Sequence, residues 1–126
     1  MNPTTKDPRQ WYKTAQDLLE DLVANLCGEE FRTHVIIISH INYQENEAGI
    51  NKGFVSAVGS ALGPKLPRYV NTLLMAEVKG SGKNMKRLIR TVPTSLIELK
   101  NPSPMKLEDE YDLPTGLAKV FEGLKP

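Results

Sequence analysis

From position 8 the segment PRQWYKTAQDLLEDLVANLC places Trp11, Ala15, Leu18, Leu19, Leu22, Val23 and Leu26 at three- and four-residue spacings, with charged and amide side chains between them. That period predicts an amphipathic helix. Asp7 is suited to cap its amino end, Pro8 to stand in its first turn and Gly28 to follow its last residue, so the helix is expected over about 7–27. The run HVIIIS at 34–39 has no alternation and is rich in β-branched residues, the pattern of a strand buried on both faces of a parallel sheet. Residues 40–53 are polar, contain Gly49 and Gly53, and read as a long loop at the carboxyl end of that strand, where open α/β sheets bind ligands.

Beyond the loop, 54–62 reads as a short helix interrupted by Gly59 and ended by Gly63 and Pro64. Residues 69–78 read as a second buried strand, and Gly80, Ser81 and Gly82 as a turn. KRLIRTV at 86–92 and LIEL at 96–99 read as two further strands of an antiparallel meander at a sheet edge. EDEYD at 108–112 reads as a solvated acidic loop. A final helix is expected at 116–124, capped by Thr115 and facing inward with Leu117, Val120, Phe121 and Leu124.

The 126 residues fit one domain, 1–126, with 1–6 as a flexible tail. Apolar residues make up 40% and charged residues 25%, which excludes the low-hydrophobicity compositions that stay disordered. The single cysteine, Cys27, excludes an intramolecular disulfide framework and reads as a small packed hydrophobe. No apolar run approaches the roughly 20 residues that span a bilayer, and the amino terminus has no signal-like apolar core, so no membrane partner and a cytoplasmic location are expected.

Net charge is only +1, but its distribution is uneven. Residues 1–63 carry 5 basic and 8 acidic side chains, residues 64–126 carry 11 and 7, and 65–100 alone carries 8 against 2. Lys79, Lys83, Lys86, Arg87 and Arg90 are spaced to form either a phosphate-binding stripe or a solvated charged face. Gly80, Ser81, Gly82 and Lys83 resemble the end of a phosphate-binding P-loop, yet Glu77 stands where that pattern needs glycine and Asn84 where it needs Ser or Thr. A hairpin turn accounts for them.

His34 and His40 lie about 20 Å apart on an extended chain and so do not share a metal ion. Neighbouring residues of a strand point to opposite faces, so Ser39 and His40 do not form a nucleophile and base. His40, where strand meets loop, is open to both a ligand-sensing and a structural reading.

Taken together, DPRQWYKTAQDLLEDLVANL, HVIIISHINYQE, GFVSAVGSALGPKLPRYVNTLLMAEV, RLIRTVP, LIELKNPSP and YDLPTGLAKVFEGL resemble the carboxyl half of a RecA-like P-loop ATPase core, particularly the phage-encoded nucleotide-binding proteins related to single-strand annealing recombinases. The resemblance covers about 7–124. It implies an α/β fold, a partial RecA-like three-layer core of parallel strands with an antiparallel edge meander and flanking helices. It implies His40 as the sensor of a nucleotide γ-phosphate, residues 41–67 as a loop facing single-stranded DNA, and Lys100 as a cation offered to ATP across a protomer interface. Pro102 departs from the pattern, because RecA proper has a second lysine there. The implied nucleic-acid contacts are Lys52, Lys65, Arg68, Lys83, Lys86, Arg87 and Arg90. The chain has neither a Walker A loop nor a Walker B aspartate ahead of its first helix, so ATP and Mg²⁺ are expected only with a Walker-containing partner, and no ATP hydrolysis is expected from the chain alone. The competing expectation is a non-catalytic interaction module that pairs with a RecA-like partner or with itself.

Overall fold

The computed structural model describes residues 7–126, and the tail expected at 1–6 lies outside the described residues. The protein is mixed α/β, and its chain divides at Val70 into two compact units.

In the first unit, α1 runs from Pro8 to Leu26 as the apolar period predicts. The Asp7 carboxylate accepts the Arg9 backbone N–H at 3.0 Å and so satisfies one of the open donors of the first turn. Its hydrogen bonds from the Arg9 side chain and backbone hold the carboxyl below its usual pKa. Of the apolar face, Val23 is buried against Leu62 and Leu66, with Leu19, Cys27, Val55, Ala57 and Tyr69 packed around them. Leu18 and Leu22, on the flank of that face, remain 65% and 53% exposed.

The polar stretch after His40 is an antiparallel hairpin. β1 (Ile41–Glu45) pairs with β2 (Asn51–Val55), with Tyr43 opposite Gly53. Asn46 closes the turn, its Oδ1 accepting the N–H groups of Ala48 at 3.0 Å and Ile50 at 2.9 Å. The loop expected over 40–53 is thus a ribbon, because Ile41, Tyr43 and the Asn46 turn supply strand and turn chemistry in a segment that is polar overall. The helix expected over 54–62 is also replaced: Phe54 and Val55 complete β2, and Gly63 and Pro64 open a 3₁₀ helix, Gly63–Tyr69, where they were expected to end one.

The buried parallel strand expected at 34–39 does not form among the described residues. Ile36, Ile37 and Ile38 are 54%, 46% and 92% exposed, and all strand pairs there are antiparallel. The physical reason is register. β2 pairs back only as far as Ser56, whose N–H donates to the His40 carbonyl at 2.8 Å, so the stretch before His40 has no strand alongside.

The second unit is a three-stranded antiparallel sheet in the order β3–β4–β5, with β3 at Met75–Lys79, β4 at Lys86–Arg90 and β5 at Glu110–Asp112. The turn expected at 80–82 joins β3 to β4. The second strand expected over 69–78 is shorter and only half-buried, and the meander expected of 86–92 with 96–99 does not form, because 96–99 is no strand. There the chain turns back on Thr94, whose N–H donates to the Ile97 carbonyl at 2.9 Å and whose Oγ1 accepts the Ile97 N–H at 3.0 Å, and Lys100 just beyond bridges to Leu73 through hydrogen bonds of 3.0 and 3.1 Å. The third strand comes instead from the acidic EYD segment, because Tyr111 turns inward and is buried. α2 (Leu113–Leu124) lies against β4 and β5. It begins after Asp112, three residues earlier than expected, and buries Val120 with Leu107 and Tyr111. Leu88 and Ile89, which face opposite sides of β4, are both buried, as befits a central strand.

Candidate nucleic-acid interface

The β3–β4 connection is built on two glycines. Gly80 has φ +80°, and a Cβ there would lie 2.4 Å from the Asn84 carbonyl oxygen, so the turn requires glycine at that position. A single 3₁₀ turn, Gly82–Asn84, follows, closed by Asn84 N–H donating to Ser81 O at 3.1 Å. This geometry lifts Lys83 into solvent at the end of the ribbon, with Lys86 and Arg87 exposed just beyond it.

The pleat and the ion pairs then sort the basic residues. Lys86 stands opposite Lys79, and Arg87 opposite Val78, so Lys86 and Arg87 lie on different faces of the ribbon. Arg90, on the Lys86 face, is turned to carboxylates: its Nε donates to Glu77 Oε1 at 3.1 Å and its Nη2 to Glu110 Oε1 at 3.0 Å. Lys79 bonds to Glu110 as well and lies 3.8 Å from Glu77. The hydrogen bond from Lys79 and the charges of Lys79 and Arg90 outweigh burial and hold the Glu110 carboxyl below the usual carboxylate range. Two cations and two carboxylates thus neutralise one another. Among the described residues, Lys83, Lys86 and Arg87 make no ion pair, and they are the cations this unit offers to an outside anion at the hairpin end. Lys86 and Arg87 also line an open hollow with Met85, Asp112 and Pro114, where the Asp112 carboxylate opposes an anion.

In the first unit, Lys65 and Arg68 are both exposed on the 3₁₀ helix, whose three-residue period sets them on one face. Lys52 is half-buried on β2, opposite Gln44. Residues 41–67, read as a DNA-facing loop, fold as the β1–β2 ribbon and this helix, and the ribbon's end carries Glu45 and Glu47. His40 is exposed just before β1. Ser39 Oγ is 2.9 Å from the carbonyl oxygens of both Ser56 and His40, and it bonds to backbone, not to the imidazole. Lys100 is exposed in the second unit, its backbone held by the bridge to Leu73.

The set can hold phosphate groups by charge at solvent-exposed positions. Among the described residues no group of three or more His, Cys, Asp or Glu side chains is placed to hold a metal ion, and no helix is long and apolar enough to cross a membrane. Sequence reasoning missed the partners of Arg90. Glu77 could be found only from the hairpin register, and Glu110 reaches it from a strand that reads as an acidic loop. No family model, no curated protein and no solved structure matches the chain.

Proposed function

We propose that this chain is a RecA-like, phage-type DNA recombination protein that contacts single-stranded DNA and does not hydrolyse ATP alone, with a cytoplasmic site of action. The observation that carries the reading is the trio Lys83, Lys86 and Arg87, exposed and without ion pairs at one hairpin end, in the half of the chain that carries the net positive charge. Cations on both faces of a narrow ribbon suit a flexible phosphate backbone and carry no base-specific pattern. Lys65 and Arg68 are further contacts in this reading. His40 and Lys100 would act on nucleotide only alongside a partner that supplies the Walker groups, ATP and Mg²⁺, since the chain's P-loop-like segment has Glu77 where a Walker A loop needs glycine and Asn84 where it needs the Ser or Thr hydroxyl that binds Mg²⁺.

Titration of fluorescent single-stranded DNA at two salt concentrations, with and without ATP and Mg²⁺, tests it. Binding is expected to be independent of ATP and to weaken with salt, with the three hairpin cations contributing about −2 to the log–log slope. Charge reversal at Lys83, Lys86 and Arg87 together should remove that part of the slope, leaving no more than the contribution of Lys65 and Arg68. Absence of binding at low salt, or binding indifferent to these substitutions, rejects the proposal.

A second reading, a non-catalytic module that joins a RecA-like partner or another copy of itself, is favoured by the exposed isoleucines at 36–38.

A further inference from the structure

The stretch leading into β1 is a strand in all but partnership. From His34 to His40 the chain runs without turn or bend, and among the described residues its backbone from Val35 to Ile38 pairs with nothing before Ser39 and His40 meet Ser56. Among the described residues, the backbone N–H and C=O groups of Val35, Ile36, Ile37 and Ile38 have no hydrogen-bond partner. An exposed β-branched run with open backbone groups is a template for strand addition.

The sequence of the run selects the occupant. HVIIISH is nearly the same read in either direction. About Ile37, His34 faces His40, Val35 faces Ser39, and Ile36 faces Ile38. Two antiparallel copies related by a two-fold axis at Ile37 therefore set isoleucine against isoleucine at the centre and histidine against histidine at the ends, with Val35 and Ser39 as the one unlike pair, so the same patch meets itself in an isologous contact. Charge agrees with this. Residues 33–41 contain no Asp, Glu, Lys or Arg, so self-pairing brings no like charges together, and a charged strand would find no counter-charge in the run.

We infer that the His34 to His40 run is a self-pairing strand, through which two copies of this chain join as an antiparallel pair centred on Ile37. The inference rests on the interaction reading above and makes no use of the basic hairpin. A single pair of short strands covers less than the ~800 Å² per partner of stable interfaces, so the dimer is weak, with a Kd of about 10–100 µM.

Sedimentation equilibrium over concentrations that bracket this value tests it. Wild type is expected to pass from monomer to dimer. Ile37→Lys and Ile37→Glu each set like charges across the axis and should weaken the dimer at least about tenfold, while their equimolar mixture restores it, because Lys then faces Glu. As a smaller, uncharged change, Ile37→Cys with Cys27→Ala should give a disulfide-linked dimer on air oxidation, since facing Cα atoms of an antiparallel pair lie about 4.5–5.5 Å apart. A wild type that stays monomeric, a dimer indifferent to the charged substitutions, a mixture that does not restore it, or no disulfide-linked dimer would each overturn the inference. Lys86→Glu separates this outcome from the DNA reading: it should weaken DNA binding and leave the dimer intact.

Discussion

The Tyr69 hydroxyl donates to Glu20 Oε1 at 2.6 Å and so ties the end of the 3₁₀ helix to α1. Gln16 makes a second tie from the same helix, its Nε2 donating to the Val58 carbonyl at 2.8 Å. Between these polar ties sits a small core in which Val23, Leu62 and Leu66 are the buried members. Three buried aliphatic side chains cover little apolar surface, so directional bonds at the rim carry an unusual share of what holds α1 in place.

Replacement of Tyr69 by Phe removes one such tie and leaves the ring. The melting temperature at neutral pH should fall by a few degrees. The hydrogen bond to Glu20, with burial and the Glu20 charge behind it, raises the Tyr69 pKa above its ordinary value of about 10. A raised folded-state pKa contributes stability that is present below the ordinary value and lost as pH climbs through the raised one. Wild type should therefore lose stability above about pH 10 more steeply than Tyr69→Phe. Circular-dichroism melts across that range decide it, and parallel curves would show that the bond contributes nothing.

A buried hydroxyl gives a sharper prediction in the second unit. Thr91 is 1% exposed, and its Oγ1 donates to the Glu108 carbonyl at 2.6 Å while its N–H donates to Asp109 O at 3.0 Å. Together these bonds hold the segment that leads into β5 against the end of β4. Thr91→Val preserves shape and backbone bond but leaves the Glu108 carbonyl without that donor, at a cost of about 1–3 kcal/mol. Thr91→Ser, which keeps the hydroxyl, should cost less. Urea unfolding of the two variants makes the comparison, and equal losses would mean that the methyl group, not the hydroxyl, matters.

What could be read from the sequence follows from how local the determinant is. α1 and its Asp7 cap depend on residues within a few positions of one another, and the β3–β4 turn depends on Gly80 and Gly82, so these elements were legible. The run at 34–39 was not, because β-branched residues encode only a readiness to pair, and the strand exists when a neighbour is supplied. β5 was hidden by its charges, since a single inward Tyr111 decides its burial. The basic residues were legible as a cluster. Their division into the paired Lys79 and Arg90 and the unpaired Lys83, Lys86 and Arg87 was not, because it depends on strand register and on Glu110 arriving from 20 positions further along.

The two turn glycines should respond differently to the same substitution. At Gly80 an added Cβ meets the Asn84 carbonyl at 2.4 Å in addition to the φ of +80°, whereas at Gly82, with φ +57°, a Cβ meets nothing within 4 Å. Gly82→Ala therefore incurs only the left-handed conformational cost of about 1–2 kcal/mol. Gly80→Ala must also move the backbone of the turn, and it should cost clearly more and displace Lys83, Lys86 and Arg87 together. Chemical unfolding and DNA titration of both variants test this, and equal effects at the two positions would contradict the clash.

The carboxylates that hold Arg90 and Lys79 also limit how much charge the hairpin presents. Glu110 has a lowered pKa because Lys79 bonds to it and Lys79 and Arg90 lie beside it, against the opposing effect of burial. A lowered folded-state pKa gives stability that is present above the ordinary carboxylate value of about 4.3 and lost as pH falls through the lowered one. Glu110→Gln should flatten that acid loss. Removing Glu77 as well, in the pair Glu77→Gln and Glu110→Gln, leaves Lys79 and Arg90 with neither carboxylate partner and adds two cations to the three already exposed. On the DNA-binding reading, low-salt affinity for single-stranded DNA should rise several-fold, and the salt slope should steepen by about 1.4, the contribution of two further phosphate contacts. If the double variant folds, shows the flattened acid profile and binds DNA no more tightly, the hairpin end does not contact phosphate, and its exposed cations serve only as a solvated face.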